Sequence, residues 1–104
     1  MRHKIVLLAL FCLSALGVSA QTVTGNVTEM LGGAKEPIIG ANVTFQNAQN
    51  RIVSGTVTDF NGNYTLKVPE EKNLTIVFSY VGMKQQSFKY TGQKTLNVTM
   101  ESNA

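Results

Sequence analysis

Residues 51–68 read RIVSGTVTDFNGNYTLKV, and this stretch carries the period that organises the chain. Arg51 to Thr58 and Tyr64 to Val68 return apolar or small residues at every second position. That is the repeat of a strand with one buried face, not of a helix. Between them, Asp59-Phe60-Asn61-Gly62-Asn63 holds an Asn-Gly pair, which accommodates the positive φ that tight hairpin turns need. Asp59, Asn61 and Gly62 are therefore expected to be structural turn residues, with Asp59 accepting backbone N–H groups and Gly62 supplying φ > 0. Arg51 to Thr58 is the least regular strand, because Ile52 and Val53 compete for the inward side.

The same period extends in both directions. Thr22 to Thr28 alternates polar with small or apolar residues. Ala41, Val43 and Phe45 share one face of Ala41 to Gln46, and Leu74, Ile76, Phe78 and Tyr80 alternate with Thr75, Val77 and Ser79. Leu96, Val98 and Met100 do the same against Asn97, Thr99 and Glu101, and Lys84 to Tyr90 supplies a further strand. Gly32 to Pro37, Asn47 to Asn50, Pro69 to Asn73 and Val81-Gly82-Met83 read as connections, and Pro37 cannot serve a central ladder. The expectation is an all-β fold: about seven short strands at the spacing of a β-sandwich.

The first twenty residues follow other rules. Arg2, His3 and Lys4 precede an apolar run, Ile5 to Leu16, that is broken only by Ser14, and Val18-Ser19-Ala20 presents small residues where a signal peptidase reads. As a helix this run spans about 18 Å, against about 30 Å of bilayer hydrocarbon, so a cleaved signal fits better than an uncleaved anchor. Phe11 before Cys12 excludes a lipid-attachment site, which needs a small residue there. Residues 1–20 are thus read as a signal peptide cut between Ala20 and Gln21, and residues 21–104 as one domain. The sequence beyond Ala20 has seven Lys or Arg against six Asp or Glu, whereas the whole chain has a formal charge of +3. Nucleic acid, which demands a strongly positive field, is a poor partner.

Chemistry is limited by inventory. Cys12 and His3 lie in the signal, so the domain has no Cys or His for a nucleophile–base pair, and no catalytic residue is assigned. Asp59-Phe60-Asn61-Gly62-Asn63, with Glu70 eleven residues after Asp59, resembles the start of a calcium loop. An extended 64–68 segment carries Glu70 about 17 Å away, so a plain β-turn is the better reading and no metal or cofactor is assigned. Five Asn-x-Thr triplets occur, at Asn26, Asn42, Asn63, Asn73 and Asn97. Three are Asn-Val-Thr, which Thr-rich strands with inward Val produce without any glycan. Tyr80, Phe88 and Tyr90 could form a sugar platform, though strand aromatics more often pack in the core.

Val23 to Thr28, Pro37-Ile38-Ile39-Gly40-Ala41-Asn42-Val43, Gly55 to Leu66 and Ser79-Tyr80-Val81-Gly82 together resemble the carboxypeptidase regulatory-like domain, a transthyretin-type sandwich. More narrowly, they resemble the copy at the N-terminus of SusC/RagA-type, TonB-dependent outer-membrane transporters of Gram-negative bacteria. Two details depart from that pattern: Met83 stands where an aromatic is usual, and the segment Leu31 to Glu36 is long. The resemblance implies a non-catalytic accessory or interaction module in the periplasm, associated through transporter machinery with the outer membrane and not itself inserted in it. It leaves open a fragment of a larger transporter or a free-standing copy. A small carbohydrate-binding module is the alternative expectation, without a convergent polar set to support it.

Overall fold

The computed structural model describes residues 21–103, so the expected signal peptide and the Ala20 side of its expected cleavage site lie outside the described residues. Eight strands form: β1 (Thr22–Leu31), β2 (Ala34–Pro37), β3 (Asn42–Gln46), β4 (Ile52–Val57), β5 (Asn63–Lys67), β6 (Thr75–Ser79), β7 (Gln86–Lys89) and β8 (Val98–Met100). They make two four-stranded sheets, one of β2, β1, β5 and β8 and the other in the order β4-β3-β6-β7. No described residue is helical, and the fold is the all-β sandwich that the alternation predicts.

Strand β1 is the axis of the first sheet. Successive residues of a strand aim their backbone groups at opposite edges. On one edge Thr22 to Asn26 pair with β5, while Thr28 to Leu31 pair with β2, both antiparallel. The handover falls at Val27, whose N–H donates to the Gly62 carbonyl at 2.8 Å and whose carbonyl accepts from the Ile38 N–H at 3.0 Å. On the other edge the C-terminal strand runs parallel: Thr24 N–H donates to the Lys94 carbonyl, Leu96 N–H to the Thr24 carbonyl, and Val27 to Glu29 pair with Val98 to Met100.

Three expectations are corrected. Residues 34–37, read as loop, form β2, joined to β1 by a two-residue Gly32-Gly33 turn with both φ values positive, the geometry of a tight hairpin turn. All four β2 residues are exposed, so no buried face imprinted an alternation on them. Pro37 is tolerated because β2 is an edge strand. With β2 added, the about seven strands expected become eight among the described residues. The Asn-Gly turn does not close a hairpin within one sheet: β4 pairs with β3 and β5 with β1, so residues 58–62 turn a corner between the two sheets. The Ile52/Val53 competition is resolved by a bulge, in which Gln46 pairs with Ile52 and Phe45 with Ser54. Val53 is the extra residue and packs on the core, leaving Ile52 exposed.

The core lies between the sheets. Val23, Val27, Tyr64, Leu66, Val98 and Met100 from the first meet Val43, Phe45, Ile76 and Phe78 from the second, with Ile38 and Ala41 of the crossover closing one end. Three edge-to-face ring pairs tie it together: Tyr64–Phe78, Phe78–Phe88 and Phe45–Tyr90, with centroids 5.6, 5.8 and 5.2 Å apart.

Gly25 sits directly opposite Tyr64 across the β1–β5 ladder. A Cβ on it would stand 2.0 Å from the Leu96 carbonyl oxygen and 2.8 Å from the Tyr64 ring. The vacancy lets the ring cross β1, so that its hydroxyl donates to the Leu96 carbonyl at 2.6 Å. Burial pushes the Tyr64 phenol up from 10.0 to about 12, because the phenolate loses its water.

Gly25→Ala is expected to destabilise by about 1–3 kcal/mol, as overpacking against backbone does. A Cβ at Gly55 would meet the Thr44 methyl at 3.3 Å and the Val43 carbonyl oxygen at an ordinary 3.8 Å, with no positive φ. Gly55→Ala should cost clearly less, and chemical denaturation of the two variants measures the difference. A second expectation concerns alkaline pH. Because the folded pKa of Tyr64 is raised, its contribution is complete below pH 10 and is lost as pH climbs through about 12. Tyr64→Phe should lose about 1 kcal/mol at neutral pH with its hydrogen bond, and should show a shallower fall in stability across that alkaline window.

Candidate functional site

The turn after β4 is built by Asp59. Its Oδ1 accepts the N–H groups of Asn61 and Asn63, both at 2.9 Å, and the Gly62 N–H donates to the Asp59 carbonyl. Gly62 adopts φ of 78°, and a Cβ there would stand 2.5 Å from the Val27 carbonyl and 3.1 Å from Pro37. The glycine thus serves twice, in the turn and at the point where β1 passes from β5 to β2. Asn26 joins the same corner, donating from Nδ2 to the Asn61 carbonyl and to Asn63 Oδ1, both at 2.8 Å. Its N–H donates to Asn97 Oδ1 at 2.9 Å, so three asparagines form a rung across β5, β1 and the C-terminal strand.

Glu70 has no part in this corner. The Glu71 carboxylate accepts instead from Asn47 Nδ2, at the opposite connection. Among the described residues, no group of three or more His, Cys, Asp or Glu is placed to hold a metal ion.

Thr58 was not legible as a special residue, since its place in Gly55-Thr56-Val57-Thr58 reads as an ordinary polar strand position. It is the buried polar side chain of the described residues. Its hydroxyl donates to the Ile38 carbonyl at 2.5 Å and accepts from the Ala41 N–H at 2.9 Å. Its own backbone bonds to Ala41 and Gly40. One threonine thereby satisfies the crossover between the sheets, where unpaired backbone would be costly.

Of the three aromatic residues singled out as a platform, Phe88 and Tyr90 are only partly buried against the core, and Tyr80 is exposed. Phe88 and Tyr90 are engaged with Phe78 and Phe45, and Tyr80 follows the end of β6. In the three Asn-Val-Thr triplets, Val27, Val43 and Val98 are all buried, so an inward valine between outward polar residues accounts for the pattern. Gln21 is exposed, and its carbonyl accepts from the Val68 N–H, which anchors the beginning of the domain to the end of β5.

Exposed apolar side chains are concentrated in turns and strand ends. Val81 and Phe60 are 92% and 81% exposed. Met30 and Leu31 at the β1–β2 hairpin tip border a cleft with Met83, Met100, Glu29 and Glu101. The wall beyond is the segment after β8, held by Lys84 N–H to the Glu101 carbonyl and Asn103 N–H to the Gly82 carbonyl. No helix among the described residues is long and apolar enough to cross a membrane, a statement that does not bear on β-barrels.

The described residues form a two-sheet β-sandwich with a cleft between the β1–β2 hairpin tip and the segment after β8. The family described as CarboxypepD_reg-like domain matches residues 21–104, and the chain belongs to that family. It is 33% identical over 100 residues to TonB-dependent receptor P3 of Formosa agariphila, covering 94% of this chain and 9% of that protein. It is 34% identical over 82 residues to TonB-dependent receptor SusC of Bacteroides thetaiotaomicron, covering 79% of this chain and 7% of that one. The chain therefore spans less than a tenth of the length of these curated relatives. A solved chain from a type II cohesin–X-dockerin complex of Acetivibrio cellulolyticus superposes with a TM-score of 0.59. That match is 19% identical, covers 79% of this chain and 58% of the other, and speaks for the fold.

If the Asp59–Asn63 corner is purely structural, melting temperature should be the same in calcium and in chelator, whereas calcium at a hundred times its dissociation constant would add about 2.7 kcal/mol. Gly62→Val should destabilise in both conditions, because a β-branched residue resists positive φ.

Proposed function

We propose that the chain is an exported, non-catalytic interaction domain of a TonB-dependent uptake system. Its signal peptide, residues 1–20, is removed between Ala20 and Gln21, and residues 21–104 work in the periplasm beside outer-membrane transporter machinery. The observation that carries this reading is the identity of a third or more with TonB-dependent receptors, SusC among them, across nearly the whole domain. The absence of Cys and His beyond residue 20 supports a role in contact rather than catalysis. The outward positions of the strands are mostly polar, with Met30, Leu31, Ile52 and Val57 as exposed apolar exceptions, a composition that suits water better than lipid. The edge-on packing of Phe88 against Phe78 and of Tyr90 against Phe45 leaves these rings less free to stack on a sugar, which favours the interaction reading over the carbohydrate-binding alternative.

Fractionation of cells expressing residues 1–104, combined with in vivo cross-linking, tests the reading. The protein should appear in the soluble periplasmic fraction with the mass of a chain starting at Gln21, and should cross-link to outer-membrane receptor polypeptides. A heat-modifiable species that needs detergent, or saturable glycan binding without any receptor cross-link, would overturn it.

A further inference from the structure

All three methionines beyond residue 20, Met30, Met83 and Met100, border one cleft of about 620 Å³ at the hairpin end of the sandwich. Met100 is buried and forms part of the core, while Met30 is half exposed and Leu31 lies beside it at the tip of β1. Methionine is flexible and polarisable, so a surface rich in it moulds itself to apolar side chains of varied shape.

The charged residues that line this cleft are both acidic, although Lys35 stands opposite Met30 in the β1–β2 ladder and Lys84 lies beside Glu101. Glu29 and Glu101 line it, and among the described residues no Lys or Arg does. Lys84 approaches Glu101 only at 3.9 Å, between two exposed side chains, an arrangement of little strength. Glu29 also stands directly opposite Glu36 in the β1–β2 ladder. Like charges facing each other across a ladder are unfavourable, and a cation brought by a partner relieves them.

We propose that this cleft docks a short segment of a partner protein in which apolar residues are flanked by Lys or Arg. The proposal rests on the reading of the chain as an interaction domain and adds where the contact is made and with what chemistry. A second copy of this chain fits poorly, because a symmetric contact would set the Glu29 and Glu101 carboxylates against their own counterparts. Anionic lipid headgroups are repelled by the same carboxylates.

The test uses the chain purified from the periplasm with its methionine methyl groups labelled for NMR. The probes are a short peptide alternating leucine with lysine and a matched peptide alternating leucine with glutamate. The lysine peptide should shift the Met30 and Met83 methyl signals saturably, and the effect should fade in about 1 M salt, where charges act over only about 3 Å. The glutamate peptide should leave them unmoved. Leu31→Ser, and separately the pair Glu29→Gln with Glu101→Gln, should weaken binding about tenfold, as loss of a central interface contact does. Val57→Ser provides the control, since Val57 and Leu31 are 56% and 55% exposed but Val57 lies on β4 of the other sheet. Equal binding of both peptides, or unchanged binding by a Leu31→Ser variant that melts normally, would overturn the proposal. So would methyl shifts that follow protein concentration alone, which would mark the cleft as a contact between copies. Should the cleft fail while periplasmic recovery and receptor cross-linking persist, the docking site falls and the reading of the domain stands.

Discussion

At the centre of the sandwich, a side chain is missing so that another can pass. Gly25 leaves open the volume through which the Tyr64 ring crosses β1, and the Tyr64 hydroxyl then reaches the Leu96 carbonyl. The same ring packs edge-on against Phe78 of the other sheet. One residue thus links β5, β1, the C-terminal strand and the opposite sheet. It reinforces a parallel C-terminal segment that otherwise meets β1 through a three-residue ladder, the Thr24 backbone bonds and Asn97, a pairing of the kind that is slightly weaker per residue. A few residues away, Gly62 lets β1 change partners at Val27 without a gap in its hydrogen bonding. Both glycines are constraints of volume, and both are satisfied only when several strands are already together.

This arrangement decides what the surface can offer. Phe88 and Tyr90 lean against the core, because two four-stranded sheets of short strands have few other large side chains to fill the space between them, while Tyr80 stays exposed. What remains outside is a Thr- and Asn-rich sheet face, cross-linked at Asn26, Asn63 and Asn97 and between the Thr28 and Thr99 hydroxyls. Apolar character reappears at the hairpin tip and the turns, where a partner can reach it. The chain belongs to the CarboxypepD_reg-like family and is similar to the matched part of TonB-dependent receptors.

Part of the candidate site could be read in advance. Asp59 and Gly62 announced a turn, since a short acceptor followed by Asn-Gly has few other uses between two alternating runs. Thr58 gave no such sign: a threonine at the end of a strand looks solvated until the crossover folds over it. Glu29, Met30, Met83 and Met100 are scattered over seventy residues and meet only because β1 and β8 run parallel and residues 80–84 close over their ends. Spacing along the chain carries no trace of that meeting.

The amino-acid sequence by itself determined the all-β character, the approximate strand positions and most of the core, because burying one face of a strand forces a two-residue repeat that survives in any arrangement of strands. It determined too that the domain has no thiol or imidazole chemistry. Which strands would be neighbours was another matter. That β4 and β5 part into different sheets, that β2 pairs although it buries nothing, that β8 runs parallel to β1, and that Val53 bulges inward were decided only by the tertiary structure. Each of these depends on contacts between residues distant in sequence, on the volume left at Gly25 and on the backbone groups that Thr58 satisfies. Local alternation is blind to all three, since it records which side of a strand is dry and not what dries it.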